Sequence, residues 1–128
     1  MRVEIVSPEA VVYSGEGDMV VARTTAGEIG IMKDHEPIVG SLRFGELRVY
    51  DGAQIGARYA VYGGFIEMRD NVVRVLSDDA ENAKDIDAGE AAVQFEAAAA
   101  AVNADPDNNE LNRVYERAKV RVDVSNAS

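Results

Sequence analysis

The chain has 128 residues, no cysteine and a formal net charge of −10 at pH 7. This length fits one small domain with an appendage, and the lack of cysteine excludes disulfides and thiolate metal sites. The negative charge argues against nucleic acid, because phosphate binding needs clustered Lys and Arg. Residues 97–102 form the longest apolar run, which is far below the roughly 20 residues that cross a bilayer. We therefore predict neither nucleic-acid binding nor bilayer insertion, and the N-terminus lacks the apolar segment of a signal peptide.

Residues 2–77 are predicted to form short strands that are separated by turns. Residues 47–50 alternate, Asp51-Gly52 is a strong hairpin signal, Gly63-Gly64 interrupts a strand, and Asp70-Asn71 forms another turn. No helix fits between these strands, so crossovers for a parallel sheet are not expected. We predict an N-terminal antiparallel β-sandwich at residues 1–84 and a C-terminal two-helix antiparallel hairpin at residues 85–128.

The helical hairpin follows from capping and composition. Asp87 with Glu90 three residues later resembles a capping box, and the following alanines favour a helix. Residues 103–109 are predicted as a turn. A second helix has apolar residues at helical spacing, namely Leu111, Val114, Tyr115, Ala118 and Val122. Val120, Val122 and Val124 alternate with other residues as in a strand, so a strand is the alternative structure for the end of this second helix.

Small side chains and opposite charges favour close contact between the two predicted helices. Residues 97–101 are all alanine, which lets a second helix approach closely. Residues 85–110 carry seven acids and no Lys or Arg, whereas residues 111–128 carry four bases and two acids. Segments of opposite sign can lie against each other.

Side chains for catalysis are few. His35 is the only histidine, and no nucleophile or phosphate-loop motif accompanies it. The acids Asp78, Asp79 and Glu81 lack the spacing of a calcium loop, and we interpret them as a solvated link between sheet and helix. An acid–base enzyme would need His35 and carboxylates in one concave site. We predict no metal, no cofactor and no catalytic residue.

Three segments resemble the ε subunit of F-type ATP synthases: residues 27–39 (GEIGIMKDHEPIV), 63–67 (GGFIE) and 72–77 (VVRVLS). The resemblance implies a non-catalytic rotor subunit that joins γ to the c-ring, on the cytoplasmic side of the cell membrane as a peripheral protein. Gly27, Glu28 and His35 would face the c-ring from one end of the sandwich. The surface around Ser7, Gly40 and Leu42 would face γ. Lys33-Asp34 replaces the family's usual Pro-Gly, which puts the loop shape in question.

The same resemblance implies a regulatory hairpin. In the family it extends along γ, reaches the α and β subunits and inhibits ATP hydrolysis. Some members bind ATP through a motif to which Ile86, Asp87 and Ala91 correspond, but Glu90 replaces its arginine. Arg113, Arg117 and Arg121 form a basic stripe that would offer cations to phosphate or to acidic segments of a partner, or else face acidic helix 1. We favour pairing with helix 1, and weak or absent ATP binding.

The main alternative function is a free-standing β-sandwich module that binds a small ligand or peptide. The two hypotheses differ in whether γ is a stoichiometric partner.

Overall fold

The computed structural model describes residues 1–127, which form ten strands and two α-helices. The strands are β1 Arg2–Val6, β2 Val11–Glu16, β3 Met19–Thr24, β4 Gly27–Met32, β5 Ile38–Ser41, β6 Phe44–Asp51, β7 Gln54–Tyr62, β8 Phe65–Arg69, β9 Val72–Leu76 and β10 Ala80–Asn82. A 3-10 turn at Ala83–Asp85 leads into α1, Ala88–Ala104, and α2, Asn109–Ala127.

The strands form two five-stranded sheets, as predicted for a β-sandwich. Sheet A has the order β2-β1-β9-β8-β5, and sheet B has the order β10-β7-β6-β3-β4. All neighbouring pairs are antiparallel except β1 and β9, which run parallel. This one parallel pair forms without a crossover helix, because the chain between β1 and β9 passes through strands of both sheets before it returns beside β1.

The core lies between the sheets, where alternate residues of each strand point inward. Val3 and Ile5 of β1 and Val73 and Val75 of β9 have no exposed surface. Leu47 faces them from sheet B and is equally buried. Burial of each such side chain contributes about 1.5–3 kcal/mol. The period-2 pattern of the sequence therefore fixes which face of each strand is buried.

Two hairpin turns have the backbone that their residues favour. Asp70 and Asn71 both have positive φ, 53° and 62°, as a two-residue hairpin requires. The predicted turn after Asp51 has φ of 62° at Gly52. These turns set the register of β8 on β9 and of β6 on β7.

The C-terminal segment is an antiparallel pair of helices. Asp87 caps α1 and accepts a hydrogen bond from the Glu90 backbone N–H at 3.0 Å. The Glu90 side chain does not complete the predicted box. It accepts instead from Gln94 Nε2 at 3.2 Å. Residues 120–124 are helical, so the strand alternative for this end is excluded.

The helices pack through small and aromatic side chains. Ala98 and Ala118 are buried, and the rings of Phe95 and Tyr115 lie 5.3 Å apart. Close packing of the alanine-rich helix is thereby confirmed at Ala98. Val114 is 51% exposed, so its expected place in the packed stripe is wrong.

The hairpin contacts the sandwich through one side of α2. This helix packs on β6, β7 and the 3-10 turn. Val120 and Val124 join a small apolar cluster with residues of the sandwich and of the link to α1, namely Ala60, Tyr62, Ala83, Ile86 and Ala91. The predicted apolar stripe did not include Val120 and Val124. The valines of α2 lie on three of its faces, which meet α1, sheet B and solvent.

Candidate interaction surfaces

An apolar row crosses the outer face of sheet A. Residue pairing places Phe65 beside Leu76, Leu76 beside Val6, and Val6 beside Val11. The exposed fractions are 55% for Phe65, 44% for Leu76 and 63% for Val11. We call these four residues the apolar row. Neighbouring exposed apolar side chains of this kind mark an interaction surface more often than single ones do.

A cavity of about 470 Å³ lies at the end of the apolar row. Val6, Phe65 and Leu76 line it together with the 7–8 and 77–78 connections and Gly64. Gly64 has φ of 104°, and a Cβ at this position would lie 1.9 Å from the Leu76 carbonyl oxygen. Only glycine therefore lets the 63–64 turn pass this closely over β9 and shape the cavity.

Ion pairs lie along the next row of sheet A. Arg74 contacts Glu4 at 3.4 Å and Glu67 at 3.2 Å, and Arg2 contacts Glu4 at 3.3 Å. Exposed pairs of this kind contribute little stability. They do place a polar border beside the apolar row, which is the arrangement of a protein–protein interface.

The residues predicted to face γ occupy different positions in this surface. Ser7 borders the cavity. A Cβ on Gly40 would point at Ile66 and Thr24, 3.6 Å from each, so this residue offers only backbone to the outside. Leu42 is 6% exposed and belongs to the core. The Leu42 side chain points between the sheets, where the backbone of residue 42 bridges Thr24, and the γ contact of the surrounding surface stays a prediction.

The residues predicted to face the c-ring do not share one end of the sandwich. Gly27 and Glu28 begin β4, whereas His35 follows its other end. β4 has six residues, and each adds a rise of about 3.3 Å. The two positions are therefore separated by roughly the length of the strand. The expectation that this segment faces the c-ring stays a prediction. The strand is the edge of sheet B, so Glu28 and His35 lie along one exposed side.

The loop around His35 has a defined local structure. Its Nδ1–H donates to the Glu36 carbonyl oxygen at 2.7 Å. Asp34 has φ of 64°, in the left-handed region that Asp reaches more readily than most residues. Its backbone N–H donates to Asn71 Oδ1 at 2.8 Å, and Asn71 Nδ2 donates to the Asp34 carboxylate at 3.1 Å. Hydrogen bonds to the β8–β9 turn therefore support the left-handed backbone of Asp34.

A polar cluster joins the hairpin to the sandwich. Arg117 contacts Asp79 at 2.6 Å, and its guanidinium lies 3.8 Å above the Tyr62 ring. Arg121 contacts both carboxylate oxygens of Glu81, at 3.0 and 3.2 Å from Nε. The Tyr62 hydroxyl donates to Glu81 at 2.8 Å. We call Asp79, Glu81, Tyr62, Arg117 and Arg121 the arginine cluster.

Two pKa shifts follow from the arginine cluster. Burial, together with the hydrogen bond to Glu81, raises the pKa of the Tyr62 hydroxyl. The hydrogen bonds that Arg121 donates to Glu81 raise the pKa of Arg121. Tyr62 therefore stays protonated as a donor at neutral pH, and Arg121 stays charged.

Residue spacing could have indicated this cluster. Asp79 and Glu81 are two apart in an extended segment, and Arg117 and Arg121 are four apart on a helix, so each pair shares one face. Our interpretation of Asp78, Asp79 and Glu81 as a solvated link is wrong for Glu81, which is largely buried in an ion pair, whereas Asp79 is half exposed beside Arg117. The expected pairing of the basic stripe with helix 1 holds only for Arg121, which lies 3.8 Å from Glu90.

The predicted nucleotide-motif residues have structural roles here. Ile86 and Ala91 are buried in the cluster under α2, and Asp87 is the helix cap. Arg113 lines a cavity of about 470 Å³ with Phe44 and Tyr62, between the sandwich and α2. Within residues 1–127 no helix is long and apolar enough to cross a membrane, and no group of His, Asp and Glu could hold a metal ion.

These features define a small β-sandwich subunit with a docked helical hairpin and a surface suited to protein contacts. The family model of the ATP synthase delta/epsilon chain β-sandwich domain matches residues 1–83. The chain belongs to this family, which confirms the predicted resemblance, the fold and the class of a non-catalytic subunit.

Relatives in several bacteria extend the match. The ATP synthase epsilon chain of Streptomyces avermitilis is 44% identical over 102 residues, covering 78% of this chain and 81% of its own. That of Latilactobacillus sakei is 37% identical over 134 aligned positions, covering 98% and 92%. That of Brevibacillus brevis is 46% identical over 87 residues and is matched over 66% of its length.

A solved structure shares the fold over nearly the whole chain. It belongs to the Euglena gracilis mitochondrial ATP synthase and has a TM-score of 0.71 at 23% identity, covering 97% of this chain and 76% of that one. A chain of the Tetrahymena thermophila mitochondrial ATP synthase has a TM-score of 0.55 at 16% identity, with 66% and 68% covered.

Proposed function

We propose that this chain is the ε-type rotor subunit that joins γ to the c-ring in an F-type ATP synthase. The apolar row on sheet A carries the proposal, because it offers γ an exposed apolar strip over four adjacent strands. Ser7 and the backbone of Gly40 lie at this face. A standard-sized interface buries about 800 Å² on each partner, which requires a continuous face of this kind.

The c-ring contact is assigned to the exposed side of β4. Glu28 and His35 at its two ends offer polar side chains to polar loops. The chain would thus lie at the cytoplasmic side of the membrane as a peripheral protein, attached through γ and the c-ring and not through the bilayer.

The hairpin is proposed to regulate ATP hydrolysis. It is docked on the sandwich here mainly through α2. An extended hairpin would release Arg117 and Arg121 from their acidic partners and present them to acidic segments of the α and β subunits. The docked hairpin is then the permissive state, and the extended one is inhibitory.

Deletion of residues 85–128 tests this regulation. We expect ATP hydrolysis by the assembled complex to rise several-fold, because the inhibitory segment is gone. Hydrolysis is measured with complexes of equal subunit composition. A shortened chain assembled in full amount with unchanged hydrolysis would contradict the regulatory role. A Lys119→Gln variant of the full chain is the control, since Lys119 is an exposed cation of the same helix outside the basic stripe.

ATP is proposed to have no binding site in the hairpin. Arg121 already donates hydrogen bonds to Glu81, and Glu90 lies 3.8 Å from it. Two carboxylates therefore occupy the space beside Arg121 that a bound phosphate would need. We expect titration calorimetry of the full chain with MgATP to show no saturable heat up to cellular concentrations. Saturable binding well below that level would contradict the proposal. A Glu90→Gln variant shows whether this one charge is sufficient to exclude ATP.

A further inference from the structure

The connection between β6 and β7 contains the one Asp-Gly pair of the sequence. Asp51 and Gly52 are both exposed, and Asp51 pairs with Gln54, so Gly52 and Ala53 form a two-residue turn. Gly52 has a φ of 62°, and a Cβ at this position would meet nothing within 4 Å. The backbone angle of the turn, and not a lack of space, therefore requires glycine here.

A glycine after an aspartate makes the aspartate chemically reactive. The Gly52 backbone nitrogen can attack the Asp51 side-chain carboxyl carbon, because glycine has no side chain to hinder the approach. The new C–N bond closes a five-membered succinimide ring, and the carboxyl OH leaves with the amide proton as water. One water molecule then opens the ring at either carbonyl, which restores aspartate or gives isoaspartate. The reaction needs no oxidant and no cofactor.

The carboxylate of Asp18 holds the nitrogen that this reaction uses. The Gly52 N–H donates to Asp18 Oδ2 at 2.6 Å. The Asp18 backbone N–H donates to the Tyr50 carbonyl oxygen at 2.8 Å, which fixes the 17–18 connection against the β6–β7 turn. Attack requires the Gly52 nitrogen to lose its proton, and its negative charge would then lie 2.6 Å from a carboxylate. Even in water this repulsion slows the step by about tenfold or more.

We propose that Asp51 is a site of isoaspartate formation and that Asp18 is the residue that restrains it. The turn requires the glycine that makes Asp51 reactive, and the neighbouring connection supplies the carboxylate that keeps the reaction slow. Isoaspartate would add one methylene group to the backbone and displace the register of β6 on β7, in which Tyr50 pairs with Ile55. The inference does not depend on the proposed function.

Ageing of the isolated full chain at neutral pH, with and without urea, tests the site. Isoaspartate is measured in the peptide that carries residues 51–52, which keeps its mass and changes its retention. Asp70, an exposed aspartate followed by Asn71, is the reference in each sample. In urea we expect Asp51 to isomerise faster than Asp70, and about tenfold faster than in the folded chain. Equal rates at Asp51 and Asp70 in urea would refute the site, and equal rates at Asp51 with and without urea would refute the restraint.

The variant Asp18→Asn tests the role of the charge, because it keeps a hydrogen-bond acceptor and removes the carboxylate. We expect isomerisation at Asp51 to rise by about tenfold and that at Asp70 to stay unchanged. Exchange of the Gly52 amide hydrogen, followed by NMR, begins with loss of the same proton and should accelerate by a similar factor.

Glu16→Gln is the matched control for this variant. It removes the same charge two residues away, from a carboxylate that faces the Met1 ammonium at 3.6 Å, and should change neither rate. If Asp18→Asn isomerises no faster than the unsubstituted chain, Asp18 does not restrain the reaction. If it isomerises more slowly, Asp18 acts as a base and the proposal is reversed. Faster exchange of the Gly52 amide without faster isomerisation would also contradict the proposal.

Discussion

Replacing Phe65 and Leu76 together by aspartate is expected to weaken binding of the chain to γ by about a hundredfold or more. Both side chains are exposed neighbours in the apolar row, and interface hot spots cost about 2 kcal/mol or more each when removed. Two carboxylates would also be desolvated against an apolar partner surface. The dissociation constant for the γ subunit is measured by titration calorimetry.

The control for this variant is Val93→Asp on α1. Val93 is 67% exposed and lies outside the apolar row, so the same chemical change should leave the affinity for γ within about twofold. Urea unfolding of both variants shows that the sandwich is intact. If the variant with both substitutions binds γ with undiminished affinity, the assignment of sheet A as the γ-binding face is contradicted.

Substitution of Gly64 by alanine is expected to destabilise the sandwich by at least about 3 kcal/mol. A Cβ here would lie 1.9 Å from the Leu76 carbonyl oxygen and 2.8 Å from the Ser77 Cα, so the backbone of two segments must move. The left-handed φ of 104° adds strain. The free energy of unfolding in urea, compared with that of the unsubstituted chain, gives the result.

Gly27→Ala separates steric conflict from backbone strain. Gly27 also has a positive φ, 118°, but a Cβ there would meet nothing within 4 Å. Its loss of stability should therefore be limited to about 1–2 kcal/mol. Equal losses of unfolding free energy in the two variants would show that steric conflict at Gly64 adds nothing to the cost of backbone strain.

Local chemistry made most of the fold predictable. Alternating apolar residues define the strands, and Asp70-Asn71 and Asp51-Gly52 define turns, because both signals act over a few residues. The Asp87 cap and the alanines likewise define α1. The order of strands in each sheet depends on contacts between distant segments, and no local pattern shows that β1 and β9 run side by side.

The positions of the functional residues were less predictable than their elements. Leu42 and Gly40 lie close in sequence to exposed Val39, but only the register of β5 on β8 shows which side chains point outward. Glu28 and His35 are seven residues apart, and their separation depends on β4 being extended along an edge. The apolar row arises from four strands, so its members are scattered in the sequence.

The arginine cluster shows how two periodicities combine. Asp79 and Glu81 share a face because they are two apart in extended chain, and Arg117 and Arg121 share a face because they are four apart on a helix. Each pattern was visible, but the match between them requires α2 to pack on β6 and β7 so that its arginines reach residues 79 and 81. That placement follows from the apolar cluster beneath α2, which tertiary contacts alone reveal.

Co-expression of the full chain with the γ subunit of the same organism tests the central claim most directly. We predict a complex with one copy of each, seen by native mass spectrometry after purification through a tag on γ. Such a complex should also survive deletion of residues 85–128, since the apolar row belongs to the sandwich. Recovery of γ alone, with a folded and unbound chain in the same lysate, would contradict the rotor assignment and favour a free-standing binding module.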